Sequence, residues 1–545
     1  MPSTSPTSTT RWSRRIALIA VAALVAAGGP AVAANATTRT LTPHRSHITS
    51  VTVTQNTPLG TFNGATYVRV VGTLDGVVAS NERIVGLDTQ PKDADGNLHY
   101  SAQFELITTA PGERRHSDGV VVEAENRGNP FVFDALQGFT GLLTGAPATI
   151  KYPDGLGNGF LQNAGLSWAR VQWQGPNGAT TVNPTVPATA QGVGEVIVRD
   201  FGLLLRGLDG SIAQRSGLNT FRHALLVGVS QSAWFVDTFI AEGFNAARPA
   251  GLFPTRVFDA AYAQDGVGNW LGINQTNAAQ GFATQTSYVE PNGVPLTPAQ
   301  LLHRPLTDPF LIDTTAFTDF FRVRASIWNS SRLPGNLREF NFPVAHTPGT
   351  VVPAGITVQQ LGCDIGGTPI PALNPSDSRP FARAAILSLA RLVGIDGLRS
   401  PAPLVARNTQ FRRTAAPAPP DLDQNNPALP LFNFLPGVTL TVPVVNADSM
   451  PVGDVVFPDA ALPLGTPLPV SVPPVATRSI TDTCGNFGGW RPFTAAQLRA
   501  RYGSVDDYVA AYAKILDRVI AGGYVLKADR AGILTDVQAR YNAAS

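Results

Sequence analysis

The chain has 545 residues, of which 43% are hydrophobic and 14% charged, and its net charge is +2. This length and apolarity allow a large buried core, which excludes a disordered chain. The nearly neutral charge, without clusters of Lys and Arg, argues against nucleic acid as a partner.

The first 33 residues predict a cleaved export signal. Three arginines between positions 11 and 15 precede the apolar stretch Ile16–Ala27, and Ala31-Val32-Ala33 has the small-x-small pattern of a cleavage site. The apolar stretch is short for a membrane span, and no later segment has eighteen unbroken apolar residues. We therefore expect a mature chain that begins at Ala34, is secreted to the extracellular space or cell envelope, and has no transmembrane segment.

The element pattern after the signal predicts an α/β fold. Alternating polar and apolar residues between Ile48 and Thr109 indicate antiparallel strands, and Gly119–Glu125 is a more apolar strand. Later apolar strands at residues 255–263, 309–314 and 337–342 alternate with helical segments, which favours a mainly parallel sheet with helices on both faces.

The predicted domain organisation has two parts. Residues 48–350 form the catalytic core, and residues 351–545 form a C-terminal extension that acts as a lid or a brace. The extension is rich in proline between residues 401 and 475 and closes with helical periodicity over residues 494–523.

The segment His223–Ser232 joins an apolar strand to a serine. Ala224–Val227 predicts a buried strand, Gly228 interrupts it, and a helical pattern follows. A serine on a sharp strand-to-helix turn is typical of a nucleophile elbow, which exposes the hydroxyl. Ser230 is therefore the predicted nucleophile, in a Gly-x-Ser-x-Ser pentad that has Ser232 as its second small residue; such pentads also arise by chance.

A serine hydroxyl needs a histidine that accepts its proton. In folds with this elbow the chain order is serine, acid, histidine, and only His303 and His346 follow Ser230. His346 is the predicted base, because it lies in a loop just beyond the last core strand, whereas His303 lies in a helical stretch.

An acid must orient the histidine, and it should follow the strand that precedes the histidine's own strand. Asp319 meets this condition and is the predicted acid. Asp313 lies inside that strand, where a structural role is expected, and Asp259 is the alternative acid on an earlier strand.

Two backbone N–H groups are needed to stabilise an oxyanion. The N–H of Gln231, directly after the serine, is one predicted donor. The turn after the strand at 119–125 is expected to supply the second donor from Arg127 or Gly128, although it is equally consistent with an ordinary turn.

The two cysteines of the chain, Cys363 and Cys484, fit a single disulfide in an exported protein. Neither lies at a strand-to-helix turn with a nearby histidine, so we do not expect thiol catalysis.

Several segments, spread from about residue 50 to residue 540, share a family pattern. They are Glu125–Gly128, Trp173–Gly175, Gly228–Phe235, Gly243–Asn245, Arg256–Asp259, Thr318–Ser326, His346 and Arg501–Val509. Taken in this order they resemble the bacterial family of alpha/beta hydrolase domain proteins. The resemblance implies an α/β-hydrolase fold and a serine hydrolase, with Ser230 and His346 as catalytic residues.

We therefore expect a secreted serine hydrolase that cleaves carboxylic esters through an acyl-enzyme, with neither metal nor organic cofactor. The sequence leaves open whether the ester is a small molecule, a lipid or a polymer. Two alternatives also remain: an amidase or peptidase with the same triad, and a non-catalytic envelope or carbohydrate-binding protein on a hydrolase scaffold.

Overall fold

A mixed sheet of nine strands runs through the computed structural model of the chain. The structure describes residues 45–113, 117–138, 156–175, 183–247, 255–274, 295–322, 325–328, 332–347, 364–365, 368–399, 401–415, 441–468 and 483–544. The predicted export signal lies outside these residues, and all of them belong to one unit that begins at His44.

The strands and helices are numbered in chain order. The strands are β1 (His47–Phe62), β2 (Ala65–Val78), β3 (Leu98–Thr109), β4 (Gly119–Ala124), β5 (Ser167–Val171), β6 (His223–Val229), β7 (Ala246–Ala247), β8 (Thr255–Arg256), β9 (Ala260–Gln264), β10 (Phe310–Ala316), β11 (Leu337–Phe342), β12 (Asp364–Ile365), β13 (Thr368–Pro369), β14 (Ala372–Leu373), β15 (Arg413–Ala415), β16 (Thr441–Pro443), β17 (Gly465–Leu468) and β18 (Gly489–Pro492). The helices are α1 (Phe131–Gln137), α2 (Phe160–Ala164), α3 (Val193–Leu205), α4 (Ile212–Arg215), α5 (Gln231–Glu242), α6 (Pro298–Leu301), α7 (Asp319–Arg322), α8 (Arg379–Leu392), α9 (Pro458–Ala461), α10 (Thr483–Phe487), α11 (Ala495–Tyr502), α12 (Val505–Ala521) and α13 (Arg530–Ala544).

The central sheet has the strand order β1-β2-β3-β5-β4-β6-β9-β10-β11. The first three strands are antiparallel to one another, and β3 is antiparallel to β5. From β5 to β11 every neighbouring pair is parallel. This confirms the predicted α/β-hydrolase architecture, in which antiparallel N-terminal strands lead into a mainly parallel sheet.

Both faces of the parallel part are covered, as the apolar strand sequences require. In β6, Ala224 and Leu226 pack into a cluster that includes α3 and α5. The alternate residues, Leu225 and Val227, pack on the other face into a cluster that includes α8. Because successive strand side chains point to opposite faces, a continuous apolar run is the expected sequence for a strand buried on both sides.

The described parts of the predicted C-terminal extension pack directly on the sheet. Phe381 of α8 stacks on Phe342 at the end of β11, with ring centroids 4.1 Å apart, and Phe457 contacts both rings edge-on. The helical periodicity at residues 494–523 corresponds to α11 and α12, whereas no sequence pattern predicted α8 or α13. Cys363, and with it the predicted disulfide to Cys484, lies outside the described residues.

Within the described part of the chain, none of the helices combines the length and apolarity that a membrane span requires.

The Phe381→Ala variant tests how strongly α8 is bound to the sheet. We expect the free energy of unfolding to fall by about 3–5 kcal/mol, because a buried ring is replaced by a cavity. Leu392→Ala on the same helix, where the side chain is 47% exposed, should change it by no more than about 0.5 kcal/mol. Urea unfolding followed by circular dichroism measures both values, and equal losses would contradict this packing.

Candidate active site

Ser230 occupies the sharp turn between β6 and α5. Its backbone has φ 54° and ψ −124°, a conformation that residues other than glycine rarely adopt. Its N–H donates to the carbonyl of Gln264 at 2.9 Å, and its own carbonyl accepts from the N–H of Trp234 at 3.0 Å. The residue predicted as nucleophile therefore has the strained backbone of an elbow, held by neighbours on both sides.

The two small residues of the pentad let the turn close. A Cβ added to Gly228 would lie 2.3 Å from the carbonyl oxygen of Ser232, so any side chain would collide with backbone. The Ser232 hydroxyl accepts from the N–H of Val229 at 2.9 Å and donates to the carbonyl of the same residue at 3.0 Å. The serine that replaces the more common glycine thus ties the end of β6 to the start of α5.

The other predicted site residues lie at the same edge of the sheet. Ser230 directly follows β6, Asp319 follows β10 by three residues, and His346 follows β11 by four. These strands run parallel, so their carboxyl ends meet at one edge. Gln264, which binds the backbone of Ser230, is the last residue of β9, between β6 and β10.

His346 and Asp319, the predicted base and acid, are in direct contact. His346 Nδ1 lies 2.7 Å from Asp319 Oδ1, and both side chains are buried. The second oxygen of Asp319 accepts from the N–H of Ala316 at 2.7 Å, and the N–H of His346 donates to Thr318 Oγ1 at 2.8 Å. Backbone and side-chain hydrogen bonds therefore orient both members of the pair.

Asp265 supplies a second carboxyl group to this pair. Its Oδ2 lies 3.8 Å from His346 Nδ1, and its carboxyl group lies within 4.8 Å of that of Asp319. Burial and the charge of Asp319 raise the pKa of Asp265 well above its ordinary value, although His346 lowers it. A neutral Asp265 that donates to the Asp319 carboxylate is the arrangement that these influences favour.

The alternative acid, Asp259, lies away from the His346–Asp319 pair. It precedes β9 and lies at the amino end of the sheet, where its Oδ2 is 3.2 Å from Nδ1 of His223, the first residue of β6. His303, the other histidine after the serine, is exposed. The sequence predicts a strand at 255–263, but the observed strand is β9 (Ala260–Gln264). Asp265, directly after it, was not predicted as a site residue. The sequence does contain a signal for the end of this strand, because the apolar residues Ala260–Ala263 are followed closely by glycines at 266 and 268.

The turn that follows β4 lies beside the elbow. Asn126 and Asn129 exchange backbone hydrogen bonds of 2.9 Å, and Arg127 and Gly128 between them have φ values of 51° and 81°. The side-chain amide of Asn126 donates to the carbonyl of Val229 at 2.9 Å. The N–H groups of Arg127 and Gly128 take no part in the turn's own pair of hydrogen bonds, and Gln231 opens α5 on the other side.

A buried arginine, Arg170, which was not predicted as a site residue, binds this turn through a backbone carbonyl. Arg170 Nη1 donates to the carbonyl of Gly128 at 2.9 Å, and its Nε donates to Glu105 at 3.1 Å. Glu125, the residue before the turn, has Oε2 3.9 Å from the same guanidinium. Burial, together with the nearby charge of Glu105, raises the pKa of Glu125 to about 7, although Arg170 lowers it.

Among the described residues, Asp265, Asp319 and His346 also form a group whose ligand atoms lie within 4.8 Å of one another, close enough for a metal ion. Both carboxyl groups approach Nδ1, the same ring nitrogen, and the hydrogen bond to Asp319 occupies it. The contacts therefore fit an imidazole oriented by carboxyl groups.

The profile of the family described as "Alpha/beta hydrolase domain" matches residues 170–535, which is more than half of the chain. None of the curated proteins matches the sequence.

Solved structures that match this one include three esterases. A CE15 glucuronoyl esterase from Teredinibacter turnerae is 13% identical, with 55% of this chain and 75% of that chain covered and a TM-score of 0.29. A glucuronoyl esterase from Solibacter usitatus is 11% identical, with coverages of 53% and 70% and a TM-score of 0.25. A putative acetyl xylan esterase from Bacteroides fragilis is also 11% identical, with coverages of 54% and 70% and a TM-score of 0.25.

Gly228→Ala tests the close approach at the elbow. The added methyl group would meet the backbone of Ser232, so we expect the free energy of unfolding to fall by about 1–3 kcal/mol. Gly335→Ala is the matched control, because a Cβ there meets no atom within 4 Å and should change stability by less than about 1 kcal/mol. Urea unfolding gives both values; an unchanged midpoint for Gly228→Ala would contradict the clash.

Proposed function

Because this chain belongs to the alpha/beta hydrolase domain family, we propose that it is a serine hydrolase that cleaves carboxylic esters. One observation carries the proposal. A serine with φ 54° stands on a strand-to-helix turn, at the sheet edge where a buried histidine–aspartate pair lies. Strained non-glycine residues of this kind cluster at active sites.

The His346–Asp319 contact supports a general-base role for the imidazole. With Nδ1 donating to Asp319 at 2.7 Å, the neutral ring carries its lone pair on Nε2. In the proposed reaction Nε2 takes the proton of Ser230 Oγ as this oxygen attacks the ester carbonyl carbon. The Asp319 carboxylate then stabilises the imidazolium that forms.

The attack pushes the carbonyl electron pair onto oxygen, and that oxyanion needs donors. We assign the N–H of Gln231 and an N–H of Arg127 or Gly128 to this role, since the turn and the elbow are joined through Asn126. Arg170 supports the turn through the carbonyl of Gly128.

The tetrahedral intermediate collapses when the C–O bond to the alcohol breaks and the imidazolium donates its proton to the departing oxygen. Water then attacks the acyl-Ser230 ester with His346 again as base, which releases the carboxylic acid and restores the serine hydroxyl. Each step uses side chains and backbone groups of this chain.

A fluorophosphonate probe tests the nucleophile directly. We expect wild-type protein to be labelled at Ser230, and Ser230→Ala to lose labelling together with at least about a 10⁴-fold loss of kcat/KM on nitrophenyl esters. Ser50→Ala, which removes an exposed hydroxyl on β1, should keep both properties. Mass spectrometry of the labelled peptide and a series of esters of graded acyl length provide the measurements.

The outcomes separate the competing functions. Labelling at Ser230 with turnover of anilides but not of nitrophenyl esters would replace the esterase by an amidase or peptidase. A folded wild-type protein that takes up no label would contradict a serine hydrolase and favour a non-catalytic envelope or carbohydrate-binding protein.

We also propose that the protein is exported, loses residues 1–33, and joins Cys363 to Cys484 in an oxidising compartment. Expression in a bacterium that processes export signals should give a secreted chain beginning at Ala34, two hydrogen masses lighter before reduction than after it. Intact-mass spectrometry measures both features. Retention of the first 33 residues would contradict export, and an unchanged mass on reduction would contradict the disulfide.

A further inference from the structure

The loop after β9 has an unusual backbone. Asp265, Val267 and Gly268 have φ values of 60°, 56° and 64°, so two residues with side chains adopt the left-handed conformation. For a β-branched residue such as Val267 this is a clear outlier. Such a conformation persists only where the surroundings over-determine it.

The surroundings of this loop do over-determine it. Asp313 accepts hydrogen bonds from the N–H of Val267 at 2.8 Å and from that of the next residue at 3.1 Å. Asp265 is held at its N–H by Thr314 Oγ1 at 3.1 Å and at its carbonyl by the indole N–H of Trp234 at 3.0 Å. Groups on β10 and α5 therefore hold the backbone of Asp265 at one position, from which its side chain extends.

That position faces the proposed base and acid. Asp265 Oδ2 lies 3.8 Å from His346 Nδ1, and the carboxyl groups of the two aspartates lie within 4.8 Å of each other. We propose that Asp265 is a positioning residue: in its protonated form it donates to Asp319 and holds that carboxylate on His346, and it replaces Asp319 when Asp319 is removed. This inference rests on the proposed serine-hydrolase function.

The second role follows from the charges that surround Asp265. The titratable groups facing it are His346, Asp319, Asp313 and Tyr262. Removal of the Asp319 charge removes a group that raises the pKa of Asp265 and leaves His346, which lowers it. Burial still raises the pKa of Asp265, so its charged form depends on a close contact with the imidazolium. A shift of about 1 Å would make that contact, because it brings Oδ2 within hydrogen-bond distance of Nδ1.

Two substitutions of Asp319 differ in whether they permit that shift. Asp319→Ala empties the space beside Nδ1, so Asp265 can move in. Asp319→Asn fills the same space with an amide, which blocks Asp265 and presents the wrong hydrogen-bonding partner to the ring. The alanine variant should therefore be the more active of the two, the reverse of what side-chain similarity alone would give.

The experiment compares Asp319→Ala, Asp319→Asn and the double variant Asp319→Ala/Asp265→Asn by kcat/KM on the best nitrophenyl ester. We expect losses of about 10²-fold for the alanine variant and about 10⁴-fold for the other two, the scale for a triad without a working acid. Asp265→Asn alone, whose amide still donates to Asp319, should lose less than about 10-fold. Thermal unfolding of every variant shows whether each is folded.

A pH profile separates positioning from a general structural effect. A carboxylate beside an imidazole favours its protonated form, which must lose a proton before it acts as a base. The acid limb of kcat/KM should therefore stay near its wild-type position in Asp319→Ala and move to lower pH in the double variant. Titration of the His346 ring signals by NMR should show the same difference without depending on turnover.

Equal activity and equal acid limbs for Asp319→Ala and the double variant would overturn the role of Asp265 while leaving the proposed function intact. Activity that survives in Ser230→Ala would instead overturn the proposed function, and the role of Asp265 with it.

Discussion

The parallel course of β6, β9, β10 and β11 is the constraint on which the rest of the structure depends, because it ends four strands at one edge of the sheet. Ser230, Asp265, Asp319 and His346 each follow one of these strands within four residues. Residues that are remote in sequence are thereby brought to the same edge of the sheet. Ligand and catalytic sites at the carboxyl ends of parallel strands are a general property of such sheets.

A position at the edge of the sheet does not by itself orient a side chain. Here strained backbone conformations provide that orientation. Ser230, Asp265 and Val267 all have positive φ values, each of which costs about 1–3 kcal/mol. The cost is offset by hydrogen bonds at these turns, including one that the Ser232 hydroxyl accepts at the elbow and one that the Asp313 carboxylate accepts from the loop after β9. A net contribution of about 1 kcal/mol for each hydrogen bond is enough to hold a strained turn that makes two or three of them.

Buried charged side chains also position the groups of this site. Arg170 and Glu105 are fully buried, and burial of an ion pair adds little net stability while its loss is costly, by about 3–5 kcal/mol when one partner is removed. The pair instead fixes the position of the turn after β4. Glu105 orients the Arg170 guanidinium, which in turn donates to the carbonyl of Gly128. The carboxyl groups of Asp265 and Asp319 are likewise buried around His346, and a proton on Asp265, as proposed, would avoid two negative charges in that space.

These features differ in how much of them the sequence could predict. The positions of Ser230, Asp319 and His346 after strands could be predicted, because apolar strands, breaker residues and chain order are signals that the sequence carries directly. Asp265 could not be predicted in this way, because its place at a strand end depends on where β9 ends. The sequence pattern starts the strand too early, at Thr255, and so favours Asp259, which lies at the opposite end of β9. Arg170 was missed for a different reason. A single arginine in a short apolar strand carries no local sign of whether it faces water, and only the packing of β5 between β3 and β4 makes it an interior cation that must find acceptors.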